Sequence, residues 1–134
     1  MQIALVIAVS LHVLSGVFWA GSSFTLARTG GVGGELLFGP QMGAAVIAVL
    51  TGGYLWHLAH DGAFGPSEQV LAAGALCALI AAGVQGAVGG RAIRAWRAGK
   101  VDETSARSRI AVGQRIAAAL LAVTAICMGA ARYV

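Results

Sequence analysis

The three histidines of this chain, His12, His57 and His60, are its best candidates for chemistry. His12 lies in the middle of the first apolar stretch, where an unpaired imidazole in lipid is costly, so we expect it to have a partner or a ligand. His57 lies near the end of the second apolar stretch. His60 adjoins Asp61, which is typical of an interfacial or capping residue. Two neutral imidazoles from facing helices are able to bind one haem iron.

The relative depths of His12 and His57 decide whether both rings reach the same iron. Counted from Arg28 and Pro40, the residues next to the first connection, they lie 16 and 17 residues deep. Both are then ~24–26 Å from that end. Counted from the opposite helix ends, they differ in depth by ~10 Å. We prefer the first count, because Arg28 and Pro40 are the better anchors, and we expect level histidines.

A stripe of small or amphipathic residues continues from His12 at helical spacing, which suits a neighbouring helix or a ligand. It comprises Ser15, Gly16, Trp19, Ser22 and Ser23. We predict that His12 and His57 ligate haem b and that Gly16, Trp19 and Tyr54 line its site. The predicted role is electron transfer or a redox step. In the alternative interpretation, His12 only hydrogen-bonds to Tyr54, a serine or a backbone carbonyl.

A second set of soft ligands lies in the outer halves of the helices. Cys77, Cys127 and Met128, together with the histidines including His60, are of the kind that copper prefers. This set predicts, as an alternative, a copper or small-solute transporter. The two cysteines are not a CxxC pair and do not indicate a disulfide framework. Since every Asp and Glu lies in a loop or at a helix end, proton-coupled exchange is disfavoured.

The composition indicates a membrane protein. Of the 134 residues, 58% are hydrophobic and only 10% are charged, against about 25% charged in soluble domains. Four apolar segments reach the ~20 residues that a bilayer-spanning helix needs. We place them at about 2–27, 40–60, 67–98 and 105–133, in a single domain covering 1–134. Short connections force antiparallel neighbours, so we predict an all-α, up-down-up-down four-helix bundle.

Two helix starts carry local signals. Pro40 is expected in the first turn of the second helix, where its missing N–H is harmless. This leaves residues 29–39 as a glycine-rich connection. Ser67 is expected as a cap or first-turn residue of the third helix, with Glu68 favoured by the helix dipole.

The basic residues predict the orientation of the chain. Arg28 lies in the first connection, and the third connection and its flanks hold seven more: Arg91, Arg94, Arg97, Lys100, Arg107, Arg109 and Arg115. The positive-inside rule puts both connections in the cytoplasm and both termini outside. We expect a multi-pass protein of a bacterial inner membrane with no cleavable signal peptide. The clustered charge does not indicate nucleic-acid binding. It fixes topology, with contact to anionic lipid headgroups as the alternative.

Small residues recur every four positions along the third helix: Gly74, Ala78, Ala82, Gly86 and Gly90. The fourth helix repeats the pattern with Gly113, Ala117, Ala125 and Gly129. Such faces allow close helix packing, either within one protomer or across a homo-oligomer through Gly86 and Gly90. A third hypothesis is therefore a non-catalytic assembly subunit of the membrane.

Parts of the chain resemble a known group of membrane proteins. Leu11-His12, Trp19, Gly21 and Phe24 resemble the first helix of the HemJ-type protoporphyrinogen oxidases and of the copper-resistance D (CopD) membrane domains. Gly39-Pro40 and Met42 are similar to the P-G-M region of the HemJ type. The segment 128–133, MGAARY, resembles the close of small relatives of both families.

The resemblance implies a haem-binding bundle in which His12 matches the histidine ligand of the first helix. HemJ-type enzymes also carry a lysine at the start of the third helix. This chain has Glu68-Gln69-Val70-Leu71 there, so the resemblance extends to haem binding and not to the oxidase activity.

Overall fold

A computed structural model describes all 134 residues, and every regular element in it is helical. The elements are α1 (Gln2–Arg28), α2 (Gly34–Ala59), α3 (Pro66–Val84), a π-helical turn (Gln85–Gly89), α4 (Gly90–Arg97), α5 (Glu103–Ala130) and a 3-10 turn (Ala131–Tyr133). The third span runs without a break through α3, the π turn and α4. Four helices are long and apolar enough to cross a bilayer, which confirms the predicted all-α, four-helix fold.

The backbone and the outer surface both suit a lipid environment. Of 110 backbone hydrogen bonds, 98 lie within the helices, as required where no water can satisfy a free N–H or C=O. The outward faces carry large exposed aliphatic side chains, such as Leu14, Val17, Leu50 and Ile126. In water such a surface would favour aggregation, whereas acyl chains solvate it.

Neighbouring spans pack closely against each other on three of the four sides of the bundle. α1 packs against α2 and α5, and α5 packs closely against α3. α2 touches the third span only slightly. We call this loosely packed side the α2–α3 seam. Space remains between neighbouring helices on this side of the bundle.

Small residues bring α3 and α5 together within one protomer. Gly74 is buried, and a Cβ on it would lie 2.8 Å from the Cβ of Cys127. Gly113 is buried against Val88, with only 3.2 Å available to an added Cβ. Gly86 and Gly90 are half-buried and face Met42 and Phe38 of α2. An oligomer through Gly86 and Gly90 remains a prediction.

The start of α2 differs from the expectation. The helix begins at Gly34, and Pro40 lies six residues inside it rather than in its first turn. The left-handed Gly33 (φ 82°) ends the connection, and its carbonyl accepts hydrogen bonds from the N–H groups of Leu36 and Leu37. The predicted glycine-rich connection is therefore shorter, because residues 34–39 (GELLFG) join the helix. Pro40 leaves the carbonyl of Leu36 without its usual helical donor.

Close contacts join the first and third connections at the basic end. Gly31 has a φ of 83°, and a side chain there would also clash with the carbonyl of Arg107. Arg107 pairs with Glu103 at 2.5 Å, lies 3.8 Å from Glu35 and stacks over the ring of Trp96.

The first turns of α5 and α3 are both stabilised by a local hydrogen bond to a carboxylate. The Asp102 carboxylate accepts a hydrogen bond from the N–H of Ser105 and caps α5. Hydrogen bonds from the side chain and backbone of Ser105 lower the pKa of Asp102. At the start of α3 the cap position is Gly65, whose N–H donates to the Glu68 carboxylate at 2.9 Å.

The close approach of α3 to α5 leads to a first prediction. Gly74→Ala forces the new methyl group against Cys127 and should lower the free energy of unfolding by about 1–3 kcal/mol. Gly83→Ala is the matched control, because Gly83 lies on the same helix and has no atom within 4 Å of an added Cβ. The control should be neutral or stabilising by about 0.5–1 kcal/mol. Denaturation in detergent, followed by circular dichroism, measures both; equal losses would contradict the proposed contact.

Candidate functional site

A pocket of about 670 Å³ lies in the half of the bundle that contains the chain termini. All four spans contribute to its walls, which are mostly apolar. His12, Gly16 and Trp19 of α1 line it, as do Gly52 and Trp56 of α2. The volume falls in the range of about 300–1,000 Å³ that is usual for small-molecule and cofactor sites. It borders both α2 and α3, where the seam leaves the helices apart.

His12 is held in one orientation by α2. Its Nδ1 lies 2.9 Å from the carbonyl oxygen of Ala48 and 3.1 Å from the hydroxyl oxygen of Thr51. The Thr51 hydroxyl itself donates to the carbonyl of Ile47 at 2.6 Å. A carbonyl can only accept, so Nδ1 carries the proton and donates it. Nε2 therefore has a free lone pair.

The Nε2 atom of His12 makes no hydrogen bond, and it is not among the fully buried polar atoms that lack a partner. The ring borders the pocket and packs against Gly52, which also lines it. A Cβ at Gly52 would lie 3.0 Å from Cε1 of the ring, so the glycine makes room for the imidazole. The structure thus presents one fixed imidazole with a free acceptor nitrogen at the pocket wall.

His57 and Tyr54 do not join this pocket. Both are exposed on α2 and neither lines the cavity. The expectation that His12 and His57 are level is wrong, because His12 contacts Thr51 and His57 lies six residues beyond it, about 9 Å further along the helix. The error came from Pro40, which lies well inside α2 rather than at its start. The count from the opposite helix ends gave the correct offset.

His60 lines the pocket but is engaged elsewhere. Its Nδ1 lies 3.3 Å from the carbonyl oxygen of Trp56, and its Nε2 lies 3.5 Å from the carboxylate of Glu68. The imidazole also packs on the Trp56 ring, with centroids 4.8 Å apart. His60 therefore ties the end of α2 to the start of α3, which agrees with the expected interfacial or capping role.

The soft ligands of the copper hypothesis are not gathered at one point. Met128 lines the pocket, whereas Cys77 and Cys127 do not. The cysteines are free thiols, and Cys127 packs against Gly74. No group of three or more His, Cys, Asp or Glu side chains is arranged to hold a metal ion.

Trp19 closes the pocket towards the basic end of the bundle. Its side chain is 2% exposed, and its indole N–H donates to the side-chain carbonyl of Gln85 at 2.6 Å. The amide nitrogen of Gln85 donates to Ser23 at 2.7 Å and to Gln114 at 2.9 Å. Gln114 donates in turn to Gln41 at 2.8 Å. Trp19, which closes the pocket at this end, is therefore also part of a buried polar network.

This network, which we call the glutamine network, joins all four spans. Its members are Trp19, Ser22 and Ser23 of α1, Gln41 of α2, Gln85 of the third span and Gln114 of α5. None of its buried polar atoms lacks a partner. The serines were expected on an inward face, but sequence reasoning missed the glutamines. The available signal was three amide side chains inside apolar spans, where interhelical hydrogen bonds are the usual reason for a polar residue.

Gln85 of the third span lies on the inward face of α3. Ala78, Ala81 and Gln85 are spaced i, i+3 and i+7, which places them on one face of an α-helix, and all three are buried. The π turn begins at Gln85, and Gly89 at its end is also buried.

The glutamine network predicts that Gln85→Leu is destabilising although the two side chains have similar size. The change leaves the Trp19 indole N–H without its acceptor and removes two further bonds, at a cost of about 1–3 kcal/mol. Thr25→Val is the control, since the exposed Thr25 hydroxyl bonds only to Gly21 of its own helix. The control should change the unfolding free energy by less than about 0.5 kcal/mol. Equal effects in detergent denaturation would show that the network does not hold the spans together.

Comparison with protein-family models, curated proteins and solved structures finds no match to this chain. The similarity of the first helix to HemJ-type and CopD proteins therefore remains a prediction. The functional argument rests on the pocket, on His12 and on the glutamine network.

Proposed function

We propose that this protein binds haem b in the pocket between its four spans and serves electron transfer or a redox step in the membrane. One observation carries the proposal. His12 donates its Nδ1 proton to the Ala48 carbonyl and leaves Nε2 free at the wall of an apolar pocket.

The surroundings of His12 fit an iron ligand. Histidines that bind metals almost always donate their other ring N–H to a carbonyl, carboxylate or water, which fixes the tautomer and raises the basicity of the ligating nitrogen. Ala48 supplies that carbonyl, and Thr51 supplies a second oxygen beside it. The ring is thus oriented before any ligand arrives, so little rotational freedom is lost on binding.

The pocket walls suit a flat, apolar ligand. A Cβ at Gly16 would meet no atom within 4 Å, so this turn of α1 leaves open space where a larger residue would intrude. Trp19 supplies a rigid floor, and Leu121 packs in the core beside it. The α2–α3 seam provides a sideways entry from the lipid, which is the phase in which an apolar ligand is concentrated.

Met128 is the better candidate for a second residue that would hold the iron. His57 is exposed outside the pocket, and the nitrogens of His60 face Trp56 and Glu68. His60 is also eight residues from Gly52, the neighbour of His12, which separates it by about 12 Å along α2. Met128 lines the same cavity, and a thioether sulfur is an accepted haem ligand.

When bound, haem supplies a one-electron couple whose potential depends on its axial ligands and on the polarity around it. The chain contributes the rest. His12 fixes the position of the iron, the apolar walls exclude water, and Trp19 with the glutamine network separates the pocket from the basic end of the bundle. This closed floor favours a resident cofactor over a solute pathway through the bundle.

The proposal predicts the effect of removing each imidazole. Protein purified after haem-replete expression should show a Soret band, and His12→Leu should abolish it because the iron loses its fixed ligand. His57→Leu is the matched control, since it removes an imidazole from outside the pocket and should leave the band unchanged. Absorbance spectra at equal protein concentration measure both, and unchanged circular dichroism shows that the variants are folded.

Two results would contradict this assignment. Absence of a Soret band from the wild-type protein would reject haem binding, and loss of the band in His57→Leu alone would reject His12 as the ligand. Met128→Leu tests the second ligand: it should retain haem but change the absorbance spectrum, because the iron would lose one of the two residues that hold it.

We propose further that the basic end of the bundle faces the cytoplasm and that both termini lie outside, in a bacterial inner membrane. The seven basic residues at positions 91–115 support this orientation, because short loops rich in Lys and Arg are retained inside.

Reporter fusions test the orientation. A reporter active only outside the cytoplasm should work at the C-terminus and at Gly62, in the second connection, and should fail at Gly99 in the third. A reporter active only in the cytoplasm is the reciprocal control. The reverse pattern would overturn the proposed orientation.

A further inference from the structure

A second concavity lies at the basic end of the bundle, on the same α2–α3 seam as the pocket. This basic groove has a volume of about 570 Å³ and runs between the start of α2 and the end of the third span. Phe38 and Ile93 form apolar walls, and Gly86 and Gly90 of the third span also line it. The glutamine network and Trp19 lie between this groove and the His12 pocket, so the two are separate sites.

Two arginines give the groove its charge. Arg94 and Arg97 both line it and are exposed, and the Nε of Arg94 donates to the carbonyl of Gly90 at 3.3 Å. Neither arginine has a carboxylate within salt-bridge distance. Glu35 also lines the groove but lies 3.8 Å from Arg107. The groove therefore offers two unpaired cations beside an apolar wall, together with one carboxylate whose Oε2 makes no hydrogen bond.

The apolar part of the groove lies beside these cations. Leu36, Phe38 and Pro40 of α2 and Ile93 of the third span line it. Cations next to an apolar wall at the end of a membrane span match the phosphate and acyl chains of an anionic phospholipid.

We infer that the basic groove is a binding site for an anionic phospholipid of the phosphatidylglycerol type. Arg94 and Arg97 bind the phosphate, and Phe38 packs against the upper acyl chain. The proposal stands apart from haem binding, because it uses none of the residues of the His12 pocket. Charge complementarity selects this occupant, since the connection around the groove carries a strong excess of Lys and Arg.

Native mass spectrometry of the detergent-purified protein tests this site with phosphatidylglycerol as the probe. Arg94→Gln/Arg97→Gln should weaken lipid retention by about tenfold, because each juxtamembrane cation contributes strongly to anionic lipid binding. Arg91→Gln/Lys100→Gln is the matched control. It removes the same charge from exposed positions nearby that do not line the groove, and its retention should fall less than about twofold.

Further measurements with other probes identify the ligand. Phosphatidylcholine should be retained at least about fivefold less well than phosphatidylglycerol, because it has no net charge. Equal losses in both double variants would overturn the site in favour of diffuse charge attraction, and no loss in either would reject it. Full displacement of phosphatidylglycerol by millimolar inorganic phosphate would indicate a free-anion site rather than a lipid site.

Discussion

Hydrogen bonding among buried amides is the constraint on which the rest of this bundle depends. Lipid supplies no alternative partner for a glutamine side chain, so Gln41, Gln85 and Gln114 must satisfy one another at the bundle centre. Meeting that requirement fixes the register of α1, α2, α5 and the third span at one level. Apolar packing alone specifies register weakly in a membrane, because lipid tails are as apolar as leucine.

The same constraint creates the space that we assign to ligands. Close packing of small residues joins α3 to α5, and the glutamine network draws α1 and α2 to the same centre. α2 and the third span are left without such contacts along most of their length. The His12 pocket and the basic groove both open on this seam, one on each side of the network, and its amide side chains keep the two apart.

His12 differs from the other two histidines in how its nitrogens are used. His60 faces partners with both nitrogens, and His57 lies on the exposed surface of α2. Only His12 has one nitrogen fixed by a backbone carbonyl and the other free at the pocket wall. The proposed haem site depends on this free nitrogen. The bond to the Ala48 carbonyl by itself is also what the alternative interpretation expects, in which His12 only hydrogen-bonds to the backbone.

The sequence by itself determined four apolar spans, their approximate ends apart from the start of α2, and the basic end of the bundle, because hydropathy, span length and charge are local properties. It also identified His12, Gly16 and Trp19 as inward-facing, since helical spacing places them on one stripe. Only the tertiary structure decided the depth of His57, because that depth depends on where α2 begins and on the position of α2 along the axis of α1. The same holds for the glutamine network: which distant amides meet, and which seam stays open, follows from packing among helices and not from any one segment.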